Sequence, residues 1–124
     1  MVAIKEVPVR RGEVWVARLN PNHGREIGKT RPVLVLQANA LIRGGLPTIL
    51  VAPFSTQFRK GLEPLRVPIS ARDRLLIDSW VCVEQLRALD ASRFGEGPLA
   101  SLSRTELQAV EGALLDVLGI ALYQ

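Results

Sequence analysis

Apolar and polar residues alternate in short bursts along most of this chain, and a helical period emerges only near its C-terminal end. Residues 10–19, RRGEVWVARL, set Val14, Val16 and Arg18 on one side and Trp15, Ala17 and Leu19 on the other. That is a strand of period two with apolar groups on both faces, as in a barrel wall or a subunit contact. Residues 32–37, PVLVLQ, are too uniformly aliphatic for an edge and predict a central strand. A third strand is expected over 47–54, PTILVAPF, ended or bulged by Pro53. Residues 63–69 alternate well enough for a fourth, with Pro64 and Pro68 marking an edge. A fifth opens at 80–83 and runs on through Glu84, Gln85, Leu86 and Arg87 to Leu89.

The connections read as turns. Asn20, Pro21, Asn22, His23 and Gly24 open a loop of about a dozen residues that ends at Arg31, a length more often functional than idle. Arg43, Gly44 and Gly45 mark another turn, 70–74 a helical turn, 90–94 a short turn or helix, and 95–98 a break. The helix signal is stronger: Ser103 as N-cap, Glu106 completing a capping box, Leu102 and Leu107 as a hydrophobic staple. Leu107, Val110, Leu114, Val117 and Leu118 then form one stripe that stops at Gly119. Five strands in an antiparallel meander followed by a helix predict a mainly β fold, a small SH3-like barrel, with residues 1–124 as a single domain.

Composition narrows the chemistry. The chain has 124 residues, 48% hydrophobic and 23% charged, enough to bury one core without staples. Cys82 is the single cysteine and sits in an apolar run, so it reads as core in a reducing compartment. The first twelve residues lack the apolar core of a signal peptide and no run approaches a membrane span, so a cytoplasmic location without membrane contact is expected. Up to Arg74 there are thirteen Lys or Arg against five Asp or Glu; from Leu75 on there are three against seven. Arginine supplies thirteen of the sixteen positive charges, and its planar fork matches phosphate oxygens, which points to nucleic acid.

Within the basic half, GREIGKTRPVLVL (24–36) stands out. Pro32 pushes Arg31 into extended backbone at the start of a strand. Gly24 and Gly28 are expected to give the preceding loop unusual dihedrals that gather Arg25, Lys29 and Arg31 at one mouth suited to a phosphate. No P-loop, dinucleotide fingerprint or histidine cluster is present, and His23 is the single histidine. A reaction that needs neither cofactor nor metal is attack of an RNA 2′-hydroxyl on its own phosphate, with Arg31 neutralising charge and Ser55 or Thr56 hydrogen-bonding the same phosphate. As a fixed positive charge, Arg31 suits stabilisation better than proton abstraction, and Glu26 is the nearest carboxylate that could take the proton. Trp15 and Trp80 lie in apolar strands and read as core or subunit contact, ahead of base stacking.

The strings RRGEVWVARLNPNHGREIGKTRPVLVLQ, VAPFSTQ and VEQLRALDASRF, in that order, resemble the MazF/PemK family of toxin endoribonucleases. The resemblance implies a barrel of the CcdB/MazF/PemK type, a homodimer, metal-free cleavage of single-stranded mRNA, and neutralisation by an acidic antitoxin of MazE type. The family's Arg-Pro arginine falls on Arg31. Its catalytic threonine falls on Ser55, a departure that leaves Thr56 in contention, and Gln57 matches as well. The family's Gly-Ser-Glu-Gln loop reads Gly24, Arg25, Glu26, Ile27 here. Glu84, Gln85 and Arg87 match its Glu/Asp-Gln-x-Arg segment, with a plain sheet ion pair as the other reading of Glu84 and Arg87. RNA contacts are accordingly expected from Arg25, Lys29, Gln57, Arg59, Lys60, Gln85 and Arg87. Two alternatives remain at this level: a gyrase poison on the same barrel, or a catalytically silent RNA-binding module.

Overall fold

The strand Thr48–Ser55 (β3) is buried from Val51 to Ser55, and the rest of the sheet is arranged along its two edges. The computed structural model describes residues 9–121; the leader reading of the first residues falls mostly on positions 1–8, outside that range. On one edge β3 pairs with Thr30–Val35 (β2), which pairs with Glu13–Arg18 (β1), which pairs with Ala100–Ser101 (β7). On its other edge β3 pairs with two strands in succession. Its start meets Arg87–Asp90 (β6) and its end meets Ser79–Cys82 (β5), which pairs in turn with Arg66–Ile69 (β4). All pairings are antiparallel, and the sheet curls into a half-barrel.

The expected strand from 80 to 89 is therefore two strands. A 3-10 turn at Val83–Gln85 separates them, and it faces a stretch of β3 where Pro53 has no N–H to offer a ladder. Because β5 and β6 share an edge of β3, the topology is not a simple meander. Three other expectations change. Residues 70–74 form no helical turn: Arg72 and Leu75 exchange both backbone hydrogen bonds at 2.8 Å around Asp73, which takes the left-handed conformation that aspartate tolerates. Glu63–Leu65 is a 3-10 turn ahead of β4, which is an edge strand. Between β2 and β3 the chain makes a short helix, Asn39–Arg43 (α1), too short and too exposed to leave a periodic signature.

The sheet separates two apolar clusters. Val14, Leu34, Ala52, Phe54 and Val81 face the C-terminal helix, Arg104–Leu118 (α2), and pack on its Val110 and Ala113. Trp15, Ala17, Val33, Val35, Val51 and Leu89 face the other way. β1 thus feeds both clusters, as its two apolar faces require. The α2 capping box is complete and Gly119 ends the helix at φ +69°. Leu118 lies off the buried stripe, 53% exposed, and Ala113 takes a place in it instead.

Candidate active site

The β2–β3 register pairs Val33 with Pro53, and continuing it by two positions sets Arg31 opposite Ser55. Ser55 in turn lies opposite Trp80 on β5, and Trp80 opposite Pro68 on β4. Directly opposed residues of antiparallel strands project to the same face. Arg31, Ser55 and Trp80 therefore form a row across three strands spaced about 4.8 Å apart. The row lies on the sheet face turned away from α2. Thr56 follows one residue later, is exposed, and lines a smaller hollow of about 260 Å³ that Arg31 and Ser55 also border, with Leu75, Leu76 and Ile77.

A cleft of about 720 Å³ opens over this row. Its cations are Arg25, Lys29, Arg31, Arg59 and Arg66, its carboxylates Glu26 and Glu84, and Ser55, Gln57 and Gln85 also reach it. Of the residues singled out from sequence, Thr56, Lys60 and Arg87 are not in its wall. Arg87 lines an adjoining hollow of about 450 Å³ with Arg25, Glu26 and Gln85.

The basic loop is held from several sides. Leu19 N donates to Lys29 O at 2.7 Å, Lys29 N to Asn20 Oδ1 at 2.8 Å, and Asn22 Nδ2 to Glu26 O at 3.1 Å. Gln85 accepts from Ile27 N at 3.0 Å and donates to Arg25 O at 3.3 Å, so both ends of its amide hold loop backbone. Arg87 donates to Leu19 O at 3.1 Å, at the root of the same loop. The glycines work differently from one another. Gly24 has φ +57°, as expected, but the left-handed residue near Arg31 is Lys29 at φ +68°. Gly28 has no positive φ; a Cβ there would overlap the side-chain oxygens of Asn20 and Asn22. Its role is close approach.

Arg31 is half-buried, and its Nε donates to Gly28 O at 2.9 Å. Among the described residues neither of its terminal nitrogens has a hydrogen-bond partner, so the guanidinium is anchored by one edge and offers the rest. Ser55 is 8% exposed and accepts from Gln57 N at 3.2 Å, which orients the hydroxyl and leaves its proton to donate. Glu26 closes the loop turn by accepting from His23 N. Glu84 is committed elsewhere: Arg66 Nε and Nη2 grip it at 3.0 and 2.7 Å. The ion pair therefore joins Glu84 to Arg66 and not to Arg87. Hydrogen bonding to Glu84 raises the Arg66 pKa against the opposing effect of burial. Cys82, fully buried beneath this pair, has its thiol pushed up to about 11, chiefly by burial.

The model of the PemK-like, MazF-like toxins of type II toxin–antitoxin systems matches residues 10–118. The chain belongs to this family. MazF of Deinococcus radiodurans is 29% identical, with TM-score 0.77 over 94% of this chain and 100% of that one. A MazE–MazF complex from the same organism is 28% identical, with TM-score 0.71 over 94% and 100%. The Mycobacterium tuberculosis toxin MazF-mt6, 23% identical, shares the fold with TM-score 0.73 over 89% and 99%. Some parts of this MazF/PemK-type site escape sequence reasoning. Asn20 and Asn22 read as ordinary turn formers, yet they pack on Gly28 and hold the loop. Arg66 reads as one charge of an edge strand, yet it is buried in the cleft floor. No spacing rule links it to Glu84.

Proposed function

We propose that this toxin-family protein is a metal-independent endoribonuclease that cuts single-stranded mRNA by attack of a 2′-hydroxyl on the adjacent phosphate. The observation that carries the reading is the pairing of Arg31 and Ser55 on neighbouring strand ends under a cationic cleft. A phosphate seated there meets two kinds of donor. Arg31 supplies fixed positive charge to the oxygens that gain charge in the transition state, and Ser55 donates one hydrogen bond. The substrate brings its own nucleophile, so the protein needs to orient, neutralise and move a proton. Glu26 is the cleft carboxylate without an arginine partner among the described residues, and it is the base of this proposal. Arg25, Lys29 and Arg59 hold the flanking phosphates, while Gln85 and Arg87 act by positioning the loop. Gln57 and Lys60 contact RNA at the cleft rim.

Ser55 is favoured over Thr56 because it lies in the row with Arg31. A homodimer and an acidic antitoxin peptide lying over the cationic cleft belong to the same proposal. The test is incubation of purified protein with a long RNA in excess EDTA, with mapping of cut sites and end chemistry. Discrete cuts with 5′-hydroxyl ends, lost in Arg31→Ala and Ser55→Ala but retained in Thr56→Ala, are expected. Intact RNA from folded, antitoxin-free protein overturns the reading.

A further inference from the structure

Beside Ser55 the chain exposes an aromatic pair that the proposed chemistry does not use. Trp80 sits one strand over from Ser55, on the same face, and is only half-buried, so of its two expected places, core or subunit contact, it does not take the first. Phe58, 58% exposed, lies against it with ring centroids 5.7 Å apart and planes tilted by 55°. Phe58 stands between Gln57 and Arg59, both in the cleft wall, and Lys60 follows. Aromatic side chains interleaved with cations along a groove are the arrangement that holds single strands, the cations tracking phosphates and the rings stacking bases.

We propose that Phe58 and Trp80 form a stacking platform for the nucleobase next to the phosphate held by Arg31 and Ser55, and so help set which base is accepted beside the cut. The inference rests on the ribonuclease reading and adds a specificity site to it. The row across the sheet supplies its geometry. Trp80 is carried on the strand next to that of Ser55, about 4.8 Å across the sheet, and Phe58 follows Gln57 of the cleft wall, so the two rings border the cleft beside the bound phosphate. Electrostatics argue for a nucleic acid as occupant. The contiguous cleft carries five cations and two carboxylates, and a second copy of this chain, itself +4 overall, meets it with like charge. The tilted rings also leave Phe58 with an open face, whereas a closed core pair would show neither ring.

The experiment uses a labelled oligoribonucleotide spanning a mapped cut site, with deoxyribose at the attacking position so that it binds and is not cleaved. Phe58→Leu keeps the apolar bulk and removes the π face; Phe58→Tyr keeps the face. The expected result is about tenfold or greater weakening of binding in Phe58→Leu, recovery in Phe58→Tyr, and a relaxed base preference at one position beside the cut in Phe58→Leu. Equal affinity for the Leu variant and the parent overturns the platform while leaving the ribonuclease reading intact. So does a loss of affinity that follows a changed oligomeric state in gel filtration, which makes the pair a contact between copies. If the parent protein cuts no RNA, the ribonuclease reading fails, and indole fluorescence with oligoadenylate and oligouridylate decides the platform separately. Quenching of the half-buried Trp80 supports it, and unchanged emission overturns it.

Discussion

The two faces of the curled sheet are built from the same strands and do opposite things with them. Toward α2, alternate residues of β1, β2, β3 and β5 are aliphatic or aromatic and close on Val110 and Ala113. On the other face the apolar residues cover the region of β1, β2, β6 and the start of β3, and the strand ends beyond Val33 and Pro53 carry Arg31, Ser55 and Trp80 instead. The first face is stabilised by area removed from water. The second leaves a guanidinium and two aromatic rings partly in solvent, and its order comes from hydrogen bonds to loop backbone. Changes on the helix face should act on stability, and changes on the open face on chemistry.

The sharpest break in that comparison is Arg31→Ala. Loss of a charged donor aimed at developing charge commonly costs about 10²–10³ in rate, so cleavage should fall by at least that much. Circular dichroism and melting temperature should stay near the parent's, because the side chain makes one hydrogen bond and is half-exposed. A parental cleavage rate would show that the open face is not the active one. Gly28→Ala tests the same face through its support. The new methyl collides with Asn20 and Asn22 and shifts the loop that carries Lys29 and braces Arg31. A displacement of about 1 Å can cost about 10²-fold in rate, so cleavage should drop steeply with a smaller change in melting temperature. Parental activity in this variant would mean that the loop adapts and the asparagine lock is dispensable.

Val110→Ala is the matching change on the helix face. Removing buried methyl groups there should cost about 1–3 kcal/mol of stability by denaturant titration, and cleavage per folded molecule should be unchanged. A fall in specific activity at parental stability would break the division between faces.

The helix face was also the legible one. Period-two apolar residues in 10–19 and 47–54, the capping box at Ser103 and Glu106, and Gly119 are local signals, and local signals survive in a bare sequence. The open face was legible where a local rule applied: Pro32 fixes the backbone of Arg31, and resemblance supplied the partner position at Ser55. What stayed hidden depends on contacts between distant segments. Gln85 reaches Ile27, Arg66 reaches Glu84, and Gly28 receives two asparagine side chains because a loop folds back on itself. The break at Val83–Gln85 was hidden for the same reason, since it depends on how β5 and β6 divide the edge of β3.

The smallest effect concerns the link between α2 and the sheet. Arg72, beside the turn leading into β5, grips Glu106 with two hydrogen bonds of 2.6 Å, and this contact is the largest cause holding the Glu106 carboxyl down near pH 2. The folded state therefore keeps the carboxylate charged where the unfolded chain, near 4.5, has begun to take up a proton. Its contribution to stability is complete above about pH 4.5 and is lost as the pH falls toward 2. Because the pair is partly screened by solvent, the contribution should be no more than about 1 kcal/mol. Glu106→Gln keeps a capping-box residue and removes the charge, so it isolates the ion pair from the cap. The variant should be slightly less stable than the parent at pH 7 and should lose less stability between pH 4.5 and 2, measured by urea titration across that range. Parallel acid limbs would show that the cap, and not the Arg72 pair, is what fastens the start of α2 to the closed face.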